Sequence, residues 1–517
     1  MLFGQTGRVL LRHVRTCVMG AVALLLVVPQ AQADNGMLDW TDAEITQALD
    51  AFVPRLMDEA NVPGAQVALM RDGVLVYERA FGVGNVITRS PVTTETIFEA
   101  ASLSKPVTAH LALQMVAAGK LRLDTDIGLG IEPPWLEPDA RGRIPAITLR
   151  QILTHTSGLS NDLRRTEHRL AVSPGKTFAY SGEGFDYLGY AISAYEQSPF
   201  ANVVRARLLE PLGMRISGFA LDESQLGQVA TGHIPLWMPL GMVLVPFVIM
   251  FVVGVLIAFF VVRVVVAQPH LEPGHLLLPA IAGGLASLLA VLELAGLGLL
   301  VAVFLITFIF LLCVALAGIL WRLAFHVLGL TRVRPGTVMR REEISAGMWT
   351  RIAFGLGLLS LLPLLFMSVP IPVRAAGDVH PASSLRGTAG EIALFAREVM
   401  ASQLLSAADM RAMTSPQVKV GHGAPDGISW GLGIGIRDRV LSDGDVQRTL
   451  WQWGSNPGYT SLMVIEPDAG TALVVMTNAQ SGGAMTQELG AHMFGGLDSV
   501  DEIGGWTLPF EAIAPMF

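Results

Sequence analysis

Phe98 to Gly119, FEAASLSKPVTAHLALQMVAAG, is the stretch on which the reading of this chain turns. A strand-like segment ends in Ser102-Leu103-Ser104-Lys105, and a helical pattern follows at once. Ala109, Leu113 and Val116 recur at helical spacing, flanked by Leu111 and Met115, and Gly119 is a stop signal. Pro106 fits only in the first helical turn, where its missing N–H costs little. Ser102 and Lys105 are then expected on one face of the opening turn. A helix start also offers free N–H donors and a positive field. A serine there has an amine to take its proton and a place for an oxyanion.

Outward from this stretch, the composition separates two kinds of chain. Hydrophobic residues make up 52% and charged residues only 15% of the 517 positions, against roughly 25% charged in ordinary soluble domains. The excess apolarity gathers at the N-terminus and between 236 and 373. Net charge is −8. No basic run lies outside the membrane-flanking loops, which gives nucleic acid no footing. Cys17 and Cys313 support neither a disulfide nor a cysteine-based metal site. Lysine occurs only at 105, 120, 176 and 419, so a lysine inside a catalytic-looking motif carries weight.

Residues 1–33 read as a secretory signal peptide. Arg8, Arg12 and Arg15 precede an apolar core from Cys17 to Pro29, and Ala31-Gln32-Ala33 is a cleavage pattern. Residues 34–233 read as globular. Thr41 to Glu59 is patterned as a helix. Gln66–Met70 and Val74–Arg79 are patterned as strands about the turn Arg71-Asp72-Gly73. The run ITLRQILTHTSGL (147–159) reads as a capped helix ending at Gly158. PGKTFAYSG (174–182) leads into a helix through Tyr190.

From Leu236 the character changes. Leu240–Val262 carries no charge and would be about 34 Å long as a helix, enough to span a bilayer. Leu276–Leu320 is too long for one crossing and is expected to fold back near Gly296-Leu297-Gly298. Ile352–Val369 is a fourth span. The transmembrane insertion 234–379 therefore reads as about four helices, 240–262, 276–294, 298–320 and 352–369. The loop 263–275 carries Arg263 and the loop 321–351 carries Arg322, Arg332, Arg334, Arg340, Arg341 and Arg351, which puts those loops in the cytoplasm and both flanks of the block outside. That agrees with the leader. The expected location is a multi-pass protein of the cell membrane with its globular part on the periplasmic side. Residues 380–517 read as globular again. Ser384–Met400 is patterned as a helix, Trp430–Ile436 as one strand, Ser461–Pro467 and Thr471–Asn478 as two more, and Ala484–Phe494 as a last helix.

Several segments together resemble the serine β-lactamase and penicillin-binding-protein superfamily, and most nearly its class C β-lactamase-related hydrolases. They are Pro63-Gly64, Ser102-x-x-Lys105, Leu121-x-Leu123-Asp124, ITLRQILTHTSGL, PGKTFAYSG, Pro211-Leu212-Gly213-Met214, Pro381-Ala382, the run Gly454–Tyr459 and Val474–Asn478. Their order is the family's. The resemblance covers about 60–233 and 380–495. It implies an α/β (α+β) fold, an antiparallel sheet flanked by helices with a helical subdomain. The domain, 34–233 plus 380–517, would be interrupted in a surface loop by the membrane block.

The resemblance makes Ser102 the nucleophile of an acyl-enzyme, Lys105 its proton acceptor and Tyr180 a general base or proton relay. Two departures matter. The asparagine usual two residues after the tyrosine is Gly182. The third motif, usually Lys-Thr-Gly or His-x-Gly, aligns with Gln452-Trp453-Gly454, which has no cation to hold a substrate carboxylate. Gly454 still allows close approach, and the Ser455 N–H is expected to join that of Ser102 as the oxyanion hole.

The expected activity is that of an esterase, amidase or peptidase, or β-lactamase-like enzyme on a small-molecule or cell-envelope substrate. It needs no metal or cofactor. The alternative is a catalytically inactive ligand-binding or sensing membrane protein on the same fold. Two motif matches are set aside. Ser173-x-x-Lys176 has Pro-Gly inside it, and Gly427-x-Ser429-x-Gly431 is followed by strand-like rather than helical sequence. His155 is read as structural.

Overall fold

The computed structural model describes residues 40–128, 131, 133–137, 146–161, 170, 172–235, 238, 368–420, 427–441 and 444–494. The chain divides into two compact units, one formed by the segments up to Ile234 and from Ser368 onward, the other by Pro235–Met367. The second unit lies almost wholly outside the described residues. So do the leader (1–33), the expected spans 240–262, 276–294 and 298–320, and the fourth, 352–369, up to residue 367; its last two residues are not helical but belong to a strand, Ser368–Pro370. Among the described residues no helix is long and apolar enough to cross a membrane.

The first unit is built on one antiparallel sheet of eight strands. Its spatial order is β2 (Val74–Gly82), β1 (Gly64–Arg71), β12 (Thr471–Thr477), β11 (Tyr459–Glu466), β10 (Val446–Asn456), β9 (Gly435–Val440), β8 (Ile428–Trp430) and β7 (Val418–Lys419). The β1–β2 turn sits at Asp72-Gly73, both at positive φ, as the hairpin signal requires. Strand β1 pairs with β12 from Ala65↔Thr477 to Met70↔Ala472, so these two strands lie side by side, second and third in the sheet.

These two strands and β11 are covered on both faces, which explains their near-continuous apolar sequence. Ala65, Val67, Leu69, Leu462, Val464, Leu473 and Val475 pack beneath helices α1 (Asp42–Ala60) and α7 (Gly482–Phe494). Ala68, Met70, Met463, Ile465, Val474 and Met476 face a larger core. That core takes in α2 (Ser104–Ala117), α4 (Glu183–Glu196), α5 (Phe200–Val204) and α6 (Ala389–Ala401). Helix α1 begins at a capping box in which Thr41 and Glu44 satisfy each other's backbone N–H groups.

Several expected boundaries need correction. The helix expected through Gly158 is only α3 (Leu149–Leu153), opened by a Thr148–Gln151 capping box. It stops because His155 turns into the left-handed region at φ 53°. Ser384–Met400 is not one helix: Leu385–Gly387 forms β6, which pairs with β3 (Phe98–Ala101), and Thr388 then caps α6. Trp430–Ile436 is not one strand. It turns over between β8 and β9 at Gly433, whose φ is +91° and whose added Cβ would stand 2.3 Å from the Cβ of Ala109. Finally, α2 has no solvent stripe. Every residue from Ser104 to Leu113 is buried, so the spacing noted in its sequence marks a helix enclosed on all sides.

The chain leaves and rejoins the sheet unit at one place. His233–Pro235 (β4) pairs with Ser368–Pro370 (β5), and the Ile371 N–H donates to the Gly232 carbonyl at 2.8 Å. His233 locks this clasp. Its backbone N–H donates to the carbonyls of Asn478 and Gly458, and its ring accepts the Val86 N–H at 3.2 Å.

Candidate active site

Ser102 sits in the tight turn that joins β3 to α2. Leu103 N–H donates to the Ala100 carbonyl and Lys105 N–H to the Ser102 carbonyl, which coils residues 100–105 ahead of the helix proper. Ala101, the residue before the serine, has φ 49°, a costly conformation for a side chain with a Cβ. It is held by its neighbours: Ser104 Oγ donates to its carbonyl at 2.6 Å, and the Leu385 N–H donates to Ser104 Oγ. The expected pairing is present, with Ser102 two residues before α2 rather than inside its first turn.

Lys105 is 2% exposed, and its Nζ stands 3.0 Å from Ser102 Oγ. The same nitrogen donates to the carbonyl of Ala382 at 3.1 Å and lies 4.7 Å from the ring centre of Tyr180. A neutral amine so placed can keep an N–H on the carbonyl while its lone pair takes the serine proton. Thr108, one turn along α2, donates to the neighbouring Pro381 carbonyl at 2.8 Å. The lysine is therefore aimed by a turn that enters the unit only after the chain has rejoined it at β5.

Tyr180 arrives just ahead of α4 and stands in an aromatic nest. Its ring lies 4.3 Å from that of His155 and 5.3 Å from that of Trp453, with Trp430 edge-on at 5.8 Å. The Gln452 Nε2 donates to the Tyr180 hydroxyl at 3.1 Å. This position, where the family pattern has a cation, thus carries a buried amide that donates to the phenol oxygen. Gln452 was expected to mark only a lost charge; this bond was not foreseen.

The third motif lies where β10 runs past its neighbour. Pairing with β9 ends at Trp451↔Gly435, so Gln452–Asn456 continues along β11 alone. An added Cβ at Gly454 would meet the Ala100 carbonyl at 2.4 Å and the Ala101 Cβ at 3.0 Å. Only glycine lets β10 come this close to the turn that carries the nucleophile candidate. Asn456 fixes the same junction by donating to Glu99 at 2.6 Å and to the Ser383 carbonyl at 3.0 Å. Ser102, Lys105, Tyr180, Gln452, Trp453, Gly454 and Ser455 are thus gathered at one place. The elements outside it bear out two exclusions. Ser429 lies on strand β8 with no helix after it, and Ser173 and Lys176 fall in a turn of the loop before Tyr180.

His155 is fully buried. Its Nδ1 accepts the Ser181 N–H at 3.0 Å, and its ring packs against Phe178, Tyr180, Phe185 and Trp430. Burial, and then the nearby Lys105 charge, hold its pKa well below the ordinary imidazole value. His233 is also pushed down, by burial, against the opposing pull of its bond to the Asn478 carbonyl. Both are neutral in the fold and must take up a proton to follow the unfolded chain. Their contribution to stability is complete above about pH 6.5 and is lost as pH falls below it. The urea midpoint is expected to drop between about pH 6.5 and 5, less steeply in His233→Asn. A flat midpoint across that window would refute this assignment.

Among the described residues no group of three His, Cys, Asp or Glu side chains is arranged to share a metal ion.

A serine with a buried amine at its side, at the turn from β3 into a helix packed against the antiparallel sheet, is the arrangement that the sequence resemblance implies. Comparison with known proteins agrees. The family model described as Beta-lactamase matches residues 49–302 and 326–494, and the chain belongs to that family of serine hydrolases. It is 30% identical over 212 residues to "Esterase EstB" of Burkholderia gladioli, covering 35% of this chain and 54% of the relative. It is 32% identical over 195 residues to "Penicillin-binding protein 4" of Amycolatopsis lactamdurans, covering 35% of this chain and 50% of the relative. The chain thus spans about half the length of these curated relatives. Among solved structures, "EstCE1, a hydrolase with promiscuous acyltransferase activity" superposes with a TM-score of 0.54 at 16% identity, covering 87% of this chain and 99% of that one. "A class C beta-lactamase" superposes at 0.53, also at 16% identity, covering 87% and 96%.

Proposed function

We propose that this chain is an exported serine hydrolase, tethered to the membrane by its inserted block, that cleaves esters or amides through an acyl-enzyme. One observation carries the reading: Lys105 Nζ stands 3.0 Å from Ser102 Oγ with a backbone carbonyl to steady it. In acylation the Ser102 oxygen attacks the substrate carbonyl and passes its proton to Lys105. The N–H groups of Ser102 and Ser455 hold the oxyanion. As the C–O or C–N bond breaks, the proton moves to the leaving group by way of Tyr180. Water then attacks the acyl-serine by the reverse path and frees the acid.

The third motif bears on the substrate. Gln452 is spent on Tyr180, and Trp453 offers an aromatic surface. Neither attracts a carboxylate. An uncharged, apolar acyl group suits this wall better than the anionic rim of a β-lactam, and the relative described as an esterase is consistent with that. The apolar run 240–369 and the arginines of its loops support the tether and a site on the periplasmic side. The alternative, an inactive ligand-binding or sensing protein, draws on Gly182 and on the missing cation.

Labelling separates the two. Purified protein and Ser102→Ala are treated with a fluorophosphonate probe and a fluorescent penicillin. The expected result is a covalent adduct with the first probe that Ser102→Ala abolishes, and a weaker one with the second. No Ser102-dependent adduct with either would favour the binding protein. Extraction of the chain from membranes by carbonate would count against the tether.

A further inference from the structure

Residues 371–382 follow the clasp as a chain of charged contacts that ends on the catalytic lysine. Arg374 Nε lies 3.7 Å from Glu99 and 3.5 Å from Asp378, and Asp378 lies 3.1 Å from His380 Nε2. On its other side, His380 Nδ1 is 3.5 Å from Asp186 Oδ2 on α4. The second oxygen of Asp186 accepts the Ala382 N–H at 3.2 Å. The carbonyl of that same residue takes Lys105 Nζ. We infer that Asp186 and His380 form a positioning pair for Lys105, fixing through the Ala382 backbone the carbonyl that aims the amine at Ser102. This rests on the hydrolase reading above.

The geometry explains why a pair is needed. A lysine nitrogen rides on a flexible four-carbon arm, so its place is set by its acceptors. The Ala382 carbonyl is only as fixed as the Ala382 backbone. The turn is braced from α2 by Thr108 at Pro381 and from β10 by Asn456 at Ser383, but at Ala382 itself the brace is Asp186. Asp186 lines an open cleft of about 480 Å³, where solvent competes for its oxygens. A cationic His380 holds Asp186 Oδ2 and keeps Oδ1 on the Ala382 N–H. A neutral His380 gives up that charge-assisted hold.

His380 can titrate, because its side chain is 39% exposed. The charged groups about it are Asp186 and Glu183 from α4, Asp378 and Arg374 from its own segment, and Lys105 beyond Ala382. Its bond to Asp186 raises its pKa above the ordinary imidazole value, with Asp378 adding to the rise and Arg374 opposing it. The brace is therefore present below that raised value and loosens as pH climbs through it.

The test is the rate of Ser102 labelling by a fluorophosphonate from pH 5.5 to 9, in the full chain and in His380→Gln, Asp186→Asn and His380→Lys. Wild type should label about threefold to tenfold faster than His380→Gln at low pH, the scale of a small misplacement. The ratio should shrink toward one as His380 loses its proton. Asp186→Asn should be slow at every pH, and His380→Lys, which stays charged, should not show the wild-type loss at high pH. A wild-type to His380→Gln ratio independent of pH, whatever its size, would overturn the pair and leave the hydrolase reading intact. Failure of wild type itself to label at Ser102 would overturn both.

Discussion

Lys105→Ala is expected to slow acylation of Ser102 by about 10²–10⁴-fold, the usual worth of a positioned proton acceptor. That is about 3–5 kcal/mol of lost transition-state stabilisation. The size follows from how the lysine is held. Its Nζ has Ser102 Oγ on one side and the Ala382 carbonyl on the other, inside a shell that is 2% exposed. A water admitted by the truncation would lack both the basicity and the fixed position of the amine. The fold should suffer less. The Ala382 carbonyl loses its donor, at a cost of about 1–3 kcal/mol, while a buried amine is removed. The check is the second-order rate of fluorophosphonate labelling, together with the urea midpoint. Labelling within tenfold of wild type would mean that another group takes the serine proton.

Gly454→Ala is expected to be nearly as damaging, although glycine has no side chain to lose. The added methyl would stand 2.3 Å from Ser461 Oγ and 2.4 Å from the Ala100 carbonyl. The Ala100 carbonyl cannot easily yield, because it already accepts Ser461 Oγ at 2.7 Å and the Leu103 N–H at 3.1 Å. Strand β10 and the Ala100–Ser102 turn must separate, and on the proposed mechanism the Ser102 and Ser455 N–H groups separate with them. A displacement of about 1 Å at this place costs on the order of 10²-fold in rate. The overpacking itself should cost about 1–3 kcal/mol of stability. Hydrolysis of a p-nitrophenyl ester, scored for kcat/KM, checks the first figure and thermal unfolding the second. Unchanged kcat/KM would show that this approach does not build the oxyanion hole.

Much of this was open to reading from the amino-acid order, for identifiable reasons. Ser102 and Lys105 are three residues apart, so local geometry alone brings them together. The hairpin at Asp72-Gly73 and the strands β11 and β12 announce themselves by turn residues and apolar runs. What the sequence hid is contact over long distances. Nothing local marks Ala382 as the acceptor for Lys105, since any residue supplies a carbonyl. Gln452 read as an absence because its bond to Tyr180 spans 272 positions. The boundary errors have a related cause. Leu385–Gly387 joins a sheet because β3 lies beside it, and α3 ends early because His155 is drawn into the aromatic nest. In each case a distant partner overrode the local pattern.

The pairing of β1 with β12 also dictates when the molecule can become whole. Ala65 waits for Thr477, and a ribosome adding about 5–20 residues per second reaches it about 20–80 s later. Through that interval the nascent β1–β2 hairpin shows a bare hydrogen-bonding edge to whatever is nearby. Lys105 likewise waits for the Ala382 carbonyl. The growing polypeptide is therefore inert until Ala382 and Thr477 have both been made, and its dependence on holding factors should be greatest in the interval before then.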